Sequence, residues 1–258
     1  MLRQVRREEL AAGVFTASAG NMAQGVAWVA RELGIPATAV VPETAPETKR
    51  AAIARLGARL LPVPHARWWQ VLVERRYEGL PGLFVHPCAD RAVMAGNGTI
   101  ALEILEDLPA VRTVFVPWGG GGLASGIAAA FAAAKPEVRV IACEIETGAP
   151  LTASRAAGEP VTVPHRPSFV DGSGSPALLP EMWPLARRLI AGSEVASLEA
   201  TAEALRLLAE RNRIIAEGAG ALPVAAALAR HTFDGPAVAV ISGGNINPGT
   251  LAGILAGA

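Results

Sequence analysis

Short runs of β-branched and aromatic residues alternate with longer helical patterns along the whole sequence. Each strand-plus-helix segment is long enough for a crossover connection, which parallel strands require. The alternation therefore predicts an α/β protein with parallel strands and helices on both faces of each sheet. The predicted strands are 13–16, 37–41, 59–63, 83–86, 113–116, 138–142 and 237–241, and the clearest predicted helices are 47–56 and 198–212.

The length of 258 residues and the hydrophobic content of 51% are ample for a buried core in one large domain or two smaller ones. A boundary is expected near 107–109, where Asp-Leu-Pro interrupts the pattern. It separates a smaller domain, 14–107, from a larger one made of 1–13 and 108–258.

Charge and cysteine content exclude several classes of protein. Lysine plus arginine and aspartate plus glutamate number 23 each, so no basic surface for nucleic acid is expected. The two cysteines, Cys88 and Cys143, are too few for a disulfide scaffold or a cysteine-ligated zinc site, and a reducing cytoplasm suits them. The uncharged runs 113–134 and 237–258 are rich in glycine and alanine, which indicates buried α/β elements rather than a membrane span.

The glycine run at 119–122 follows a predicted strand and leads into an apolar helix. Consecutive amides without side chains can converge on an anion, and the helix N-terminus adds the positive end of its dipole. A phosphate group is the ligand that this turn favours, while a flexible turn or a close helix-to-sheet contact stays open as the alternative. The turn matches neither the dinucleotide fingerprint nor the P-loop, because no lysine follows it.

Two further turns also follow predicted strands. The first, 16–25, places small residues and Asn21 where a ligand could approach main-chain donors, although an ordinary helix cap is an equal alternative. The second, 242–245, begins with Ser242, whose hydroxyl can donate or accept a hydrogen bond, and a simple turn is its alternative.

Together these turns resemble the serine/threonine dehydratase branch of the fold type II pyridoxal-phosphate enzymes, a branch that also contains serine racemases. The resemblance implies two three-layer subdomains with parallel sheets, of the tryptophan synthase β-like fold. It makes 14–107 the smaller domain with the cofactor and substrate loop, and the rest the pyridoxal-phosphate domain. The segments that carry the resemblance beyond the three turns are 34–37, 41–46, 85–87, 95–103, 170–172 and 217–221.

The resemblance also implies roles for particular residues. Asn21 would contact the phenolic oxygen of the cofactor, and Ser242 would face its pyridine nitrogen. A neutral hydroxyl leaves that nitrogen largely unprotonated, which favours elimination over reactions that need a strongly stabilised carbanion. The residues implied to bind the cofactor phosphate are Gly119, Gly120, Gly121, Gly122 and Leu123, and those implied to receive the substrate carboxylate are Ser18, Ala19, Gly20 and Asn21.

The implied reaction is β-elimination from L-threonine or L-serine, which gives a 2-oxo acid and ammonia. Racemases of this branch carry a serine at the position of Ala19, so a dehydratase is expected rather than a racemase. A β-replacement enzyme is a further alternative. The chain ends soon after Asn245, and no fused regulatory domain is expected.

The reaction requires a lysine that forms the Schiff base with the cofactor and removes the α-proton. In the family it lies upstream of the turn at 16–25, where this sequence has none. Lys49 and Lys135 are its two lysines, and both are expected to be solvated surface charges. Either the N-terminal segment is missing from the sequence, or the chain is a catalytically dead relative that binds cofactor or protein partners.

Three departures from the family pattern could reshape the pocket: Met22, Asn97 and Trp118, the last at a position that is usually small and aliphatic. Racemase-like members bind a divalent ion near the position of Glu144, but Pro150 stands where a second acidic ligand is expected, so no metal is predicted. A homo-oligomer is expected from the resemblance alone.

Overall fold

The chain is described here by a computed structural model that covers Leu2, residues 5–230 and residues 232–257. Residues 1, 3, 4, 231 and 258, which the expected domain ranges include, lie outside the described residues. The chain divides into two compact units, Met1–Val93 and Met94–Ala258.

The first unit is built on a parallel four-stranded sheet. Its elements are β1 (Val14–Ala17), α1 (Asn21–Leu33), β2 (Ala37–Pro42), α2 (Glu47–Arg55), β3 (Arg59–Val63), α3 (His65–Glu74) and β4 (Leu83–Phe84). The strand order is β3-β2-β1-β4, and Val14 of the central strand pairs with Ala37 on one side and Leu83 on the other. This order places the carboxyl end of β1, and the turn that follows it, in the middle of the sheet.

Helix α1 packs on this sheet through a stripe of small residues. Ala23, Val26, Ala27 and Ala30 are buried at the spacing of one helix face, and they share a core with Val14 of β1. Gly34 ends the helix in the left-handed conformation, which only glycine adopts freely. The small side chains let the helix lie close to the strands.

The second unit is built on another parallel four-stranded sheet, with the order β7-β6-β5-β8. The second unit starts at Met94, inside helix α4 (Arg91–Asp107). The elements that follow are β5 (Thr113–Pro117), α5 (Gly122–Ala134), β6 (Arg139–Ile145), α6 (Pro150–Ala157), α7 (Met182–Leu189), β7 (Gly192–Ala196), α8 (Leu198–Leu207), a π-helical turn (Leu208–Asn212), α9 (Gly218–Leu228), β8 (Ala237–Ala239) and α10 (Pro248–Leu255).

Alternate residues of β5 enter two separate cores of the second unit. Val114 and Val116 pack with residues of α4, α5 and α7, whereas Phe115 packs with residues of α8, α9 and α10. Successive side chains of a strand point to opposite faces, so the sheet is covered by helices on both sides. The predicted α/β class with two parallel sheets is confirmed.

Apart from shifts of element ends, the structure departs from the predicted elements in β7 and in the helix 198–212. Strand β7 was not predicted, because Gly192–Ala196 contains a single β-branched residue and lies at the edge of its sheet. The predicted helix 198–212 changes at Leu207 into the π-helical turn, which ends at Arg213 with a φ of 59°. Within the described residues, no helix is long and apolar enough to span a membrane.

Candidate functional site

The glycine-rich turn begins where β5 ends and continues into α5. The amide of Trp118 donates to the carbonyl of Cys143 at 2.8 Å, and the amide of Ser125 donates to the carbonyl of Gly121 at 2.9 Å. Between them, the amides from Gly119 to Ala124 donate to no acceptor in the described part of the chain. A row of free amides at a helix N-terminus is a ready site for an anion.

Two glycines of this turn have no room for a side chain. A Cβ on Gly119 would lie 2.6 Å from the carbonyl oxygen of Gly172. Gly121 has a φ of +86°, and its Cβ would lie 2.6 Å from two ring carbons of Trp118. Protein atoms therefore fill the side-chain directions of both glycines, and the turn keeps the compact main-chain form that an anion cradle needs.

The turn that contains Ser242 follows β8, the strand next to β5. The two strands are parallel, with Phe115 opposite Ala239, so both turns leave the same edge of the sheet. Ser242 is exposed there. The Nδ2 atom of Asn245 is buried and has no hydrogen-bond partner among the described residues. Ligands of open α/β sheets bind at this edge, outside the carboxyl ends of the strands.

Close main-chain contacts hold the Ser242 turn against the start of α9. The amide of Glu217 donates to the carbonyl of Gly243 at 2.9 Å. A Cβ on Gly220 would lie 2.7 Å from that same carbonyl oxygen, and one on Gly244 would lie 2.4 Å from the carbonyl of Ile215. Sequence reasoning could not predict these contacts, because each joins residues that are far apart in the chain.

The turn 18–21 belongs to the first unit and leaves the carboxyl end of β1. The Oγ atom of Ser18 accepts a hydrogen bond from the amide of Gly20 at 3.2 Å, and Asn21 is the first residue of α1. Among the described residues, no side-chain hydrogen bond caps the N-terminus of this helix at Gly20. The half-buried Ser18, Ala19 and Gly20 therefore surround a helix N-terminus, which suits a carboxylate.

The structure changes the expectation for one of the two lysines. Lys49 is not a solvated surface charge: it is 8% exposed, because it lies on the same buried face of α2 as Ile53. Lys135 is half-buried at the C-terminal end of α5, where its ammonium donates to the carbonyl of Pro109. Neither lysine lies in a loop at the carboxyl end of a strand.

Glu144 has a structural role that the sequence did not reveal. Its buried carboxylate accepts hydrogen bonds from the amides of Leu151 and Thr152 and from the Thr152 hydroxyl, at 2.9, 2.7 and 2.7 Å. The carboxylate thus caps the N-terminus of α6. Burial raises the pKa of Glu144, and the three hydrogen bonds oppose that rise. No group of three potential metal-ligating side chains occurs among the described residues.

Glu144→Gln is expected to lower the free energy of unfolding by about 1–3 kcal/mol. The side-chain amide of glutamine carries an NH₂ group. This group would face one of the N–H or O–H groups that now donate to the carboxylate, and two donors cannot form a hydrogen bond with each other. Urea denaturation measures the change, with Glu159→Gln as the control, because Glu159 is exposed and loses the same charge. Equal stability of the two variants would contradict the capping role.

The fold and the three turns define a class of protein: an α/β protein with helix N-termini at the strand ends that suit anionic groups. A profile described as "Pyridoxal-phosphate dependent enzyme" matches residues 1–243. The chain therefore belongs to the family of pyridoxal-phosphate dependent enzymes, which confirms the resemblance seen in the sequence.

Individual proteins are also similar to this chain over most of its length. L-Threonine ammonia-lyase of Geobacter sulfurreducens is 41% identical over 253 residues, which cover 95% of this chain and 62% of that protein. Maize serine racemase superposes with a TM-score of 0.88 at 31% identity, over 96% of this chain and 78% of that chain. The processed form of threonine deaminase isoform 2 from Solanum lycopersicum gives 0.87 at 31% identity, over 100% and 77%. The chain thus spans about three fifths of the ammonia-lyase relative.

Proposed function

We propose that this chain binds pyridoxal 5′-phosphate, with the phosphate group held by the main-chain amides of Gly119, Gly120, Gly121, Gly122 and Leu123. The observation that carries the proposal is the row of amides without acceptors at the start of α5. The phosphate group needs several donors and favours the positive end of a helix dipole. The crowded side-chain directions of Gly119 and Gly121 support the same role, because they fix the main chain of the cradle.

The remaining candidate residues have complementary roles in the proposal. Ser242 leaves the same sheet edge as the phosphate turn and would face the pyridine nitrogen of the bound cofactor. Asn21 would donate to its phenolic oxygen. The turn of Ser18, Ala19, Gly20 and Asn21 orients the carboxylate of an amino-acid substrate through its amides. In this division, 14–107 supplies the loop that binds the substrate and contacts the cofactor through Asn21, and 1–13 with 108–258 supplies the phosphate-binding residues and Ser242.

For the whole protein we propose the ammonia-lyase reaction, in which L-threonine or L-serine loses its hydroxyl group and yields a 2-oxo acid and ammonia. Pyridoxal phosphate supplies the electron sink for the α C–H bond in such reactions. Ser242, a neutral partner of the pyridine nitrogen, favours elimination. The names of the relatives, threonine ammonia-lyase and threonine deaminase, support this choice.

The proton-abstracting lysine is not assigned within these 258 residues, because Lys49 lies on a buried helix face and Lys135 at a helix end. The lyase reaction is therefore proposed for a protein that joins these residues to such a lysine. Cofactor and substrate binding are proposed for the chain itself. A lysine-less binding protein is the second candidate, and the placement of the two lysines is the observation that favours it.

Pyridoxal 5′-phosphate is expected to bind the chain at least about 100-fold more tightly than pyridoxal, because the phosphate group makes the charge-assisted contacts with the amides. Equilibrium dialysis with each compound measures the two dissociation constants. Equal affinities would contradict the assignment of the glycine turn. Borohydride treatment of the complex, followed by intact-mass measurement, is expected to leave both lysines unmodified.

Product analysis on a lysine-containing protein distinguishes the reactions. The lyase forms 2-oxobutanoate from L-threonine. D-Serine from L-serine would favour a racemase instead, which Ala19 argues against, and incorporation of an added nucleophile would indicate β-replacement. Failure of the chain to bind pyridoxal phosphate would leave only a protein-binding role.

We also propose a cytoplasmic location and a homo-oligomeric state. The sequence contains only two cysteines, Cys88 and Cys143, and so low a cysteine content suits a reducing compartment. Light scattering coupled to gel filtration tests the oligomeric state.

A further inference from the structure

The peptide unit that joins Trp118 to Gly119 leads from β5 into the glycine turn, and hydrogen bonds fix it on its Trp118 side. The amide of Trp118 donates to the carbonyl of Cys143 at 2.8 Å. The carbonyl of Trp118 accepts a hydrogen bond from the hydroxyl group of Ser173, a buried residue 55 positions further along the chain. Ser173 thus holds the peptide unit whose N–H group, on Gly119, is the first of the row of free amides.

This hydrogen bond sets the direction of the Gly119 N–H group. A trans peptide unit is planar, and its C=O and N–H bonds point in opposite directions. A bond that fixes the carbonyl of Trp118 therefore also fixes the amide of Gly119. Glycine offers little resistance to rotation of the unit, because it has no Cβ. The side chain of Ser173 supplies the restraint that the glycine itself lacks.

The loop residues before Ser173 are themselves held in place. Val170 packs in the core that also contains Ala219 of α9. A Cβ on Gly218 would lie 2.9 Å from Cα of Val170, and a Cβ on Gly172 would lie 2.9 Å from Cβ of Ala219. The loop therefore packs directly against the start of α9. The hydroxyl group of Ser173 donates from a rigid base.

The same loop contacts the glycine turn a second time. A Cβ on Gly119 would lie 2.6 Å from the carbonyl oxygen of Gly172 and 3.6 Å from Cα of Ser173. The loop therefore lies against the first glycine of the turn as well as against the carbonyl before it. This contact involves main-chain atoms, so it supports the placement of the loop independently of the hydroxyl group.

We infer that Ser173 is a positioning residue of the phosphate site: its hydroxyl holds the carbonyl of Trp118 and so orients the amide of Gly119 towards the bound phosphate group. This inference rests on the proposed binding of a phosphate by Gly119–Leu123. In this role Ser173 acts through the main chain and not by contact with the ligand. Without the hydroxyl, the peptide unit is free to rotate and to present a carbonyl oxygen, which repels an anion, in place of the donor.

Ser173→Ala is expected to weaken the binding of pyridoxal 5′-phosphate about tenfold, and to leave the affinity for pyridoxal within about twofold of that of the unmodified chain. Ser175→Ala is the matched control. The Ser175 hydroxyl donates to the carbonyl of Ala177 at 3.0 Å, so the control removes the same kind of hydrogen bond from the same loop, away from the turn. The control is expected to bind both compounds as the unmodified chain does. Equilibrium dialysis measures the dissociation constants.

Ser173→Thr and Ser173→Val separate the effect of the hydroxyl group from that of side-chain volume. Threonine and valine have nearly the same shape, and only threonine has a donor. Ser173→Thr is expected to bind pyridoxal phosphate about tenfold more tightly than Ser173→Val. Equal affinities of these two variants would contradict the role of the hydroxyl group.

A measurement on the unmodified chain does not depend on the folding of a variant. Relaxation dispersion of the Gly119 amide nitrogen reports exchange of the peptide unit between orientations on the μs–ms timescale. We expect no such exchange before inorganic phosphate is added, and a shift of the Gly119 amide signal as phosphate is titrated. Exchange of Gly119 in the absence of phosphate would show that the hydroxyl group does not fix the peptide unit.

Failure of the inference and failure of the proposed function are distinguishable. If Ser173→Ala binds pyridoxal phosphate as tightly as Ser175→Ala does, or loses affinity for pyridoxal phosphate and pyridoxal equally, the positioning role is wrong and the phosphate site stands. If the unmodified chain binds pyridoxal phosphate no more tightly than pyridoxal, the proposed function fails together with the inference.

Discussion

Gly121→Ala is expected to weaken the binding of pyridoxal phosphate by at least about 100-fold, equivalent to ~2.7 kcal/mol. The left-handed conformation costs a non-glycine residue roughly 1–2 kcal/mol. The added methyl group would also collide with the Trp118 ring, which is fully buried and cannot move aside. The main chain must therefore leave the arrangement that directs its amides at the phosphate. Equilibrium dialysis measures the loss.

Gly158→Ala is the control for backbone strain. Gly158 ends α6 with a φ of +79°, but no atom lies within 4 Å of an added Cβ. This variant is expected to lose about 1 kcal/mol of stability and to bind pyridoxal phosphate normally. If Gly121→Ala bound the cofactor as well as Gly158→Ala does, the conformation of the glycine turn would not matter for binding.

Gly126→Ala is expected to lower the free energy of unfolding by about 3 kcal/mol, although alanine usually stabilises a helix relative to glycine. Gly126 lies inside α5, where its Cβ would come within 2.2 Å of the carbonyl oxygen of Met94 and 3.2 Å of Cβ of Asn97. Both neighbours belong to α4, so the two helices would have to separate. Urea denaturation with a constant m-value would show the loss.

Gly96→Ala provides the opposite expectation within the same pair of helices. Gly96 is an exposed residue of α4, and no atom lies within 4 Å of an added Cβ. The variant is expected to gain about 0.5–1 kcal/mol from the better helix propensity of alanine. A gain in Gly126→Ala as well would contradict the close contact between α4 and α5.

The parallel α/β architecture was predictable because strand and helix periodicities differ. Residues 59–63 were predicted as a strand with the observed bounds, and the predicted helix 47–56 ends one residue later than α2. The strands that the prediction made too long are β4 and β8, which lie at the edges of their sheets and pair on one side only. Strand ends at a sheet edge depend on neighbours rather than on local sequence.

Features that depend on tertiary packing were not predictable. Lys49 has a long polar side chain, and its local sequence gives no sign that its face of α2 is buried. The capping of α6 by Glu144 joins two different elements, so no local motif marks it. The contact of Gly172 with Gly119 is likewise long-range.

The candidate site was predictable to the extent that it is made of local turns. Each turn combines small residues with a position after a strand, and local sequence indicates both. The adjacency of the Gly119 and Ser242 turns required the strand order, because β5 and β8 are neighbours although more than a hundred residues separate them.

A crystal structure of the chain grown with pyridoxal 5′-phosphate tests the central claim most directly. The account predicts phosphate oxygens within about 2.7–3.2 Å of the main-chain nitrogens of Gly119 to Leu123. Density for the cofactor at another place, with the glycine turn open to solvent, would contradict it.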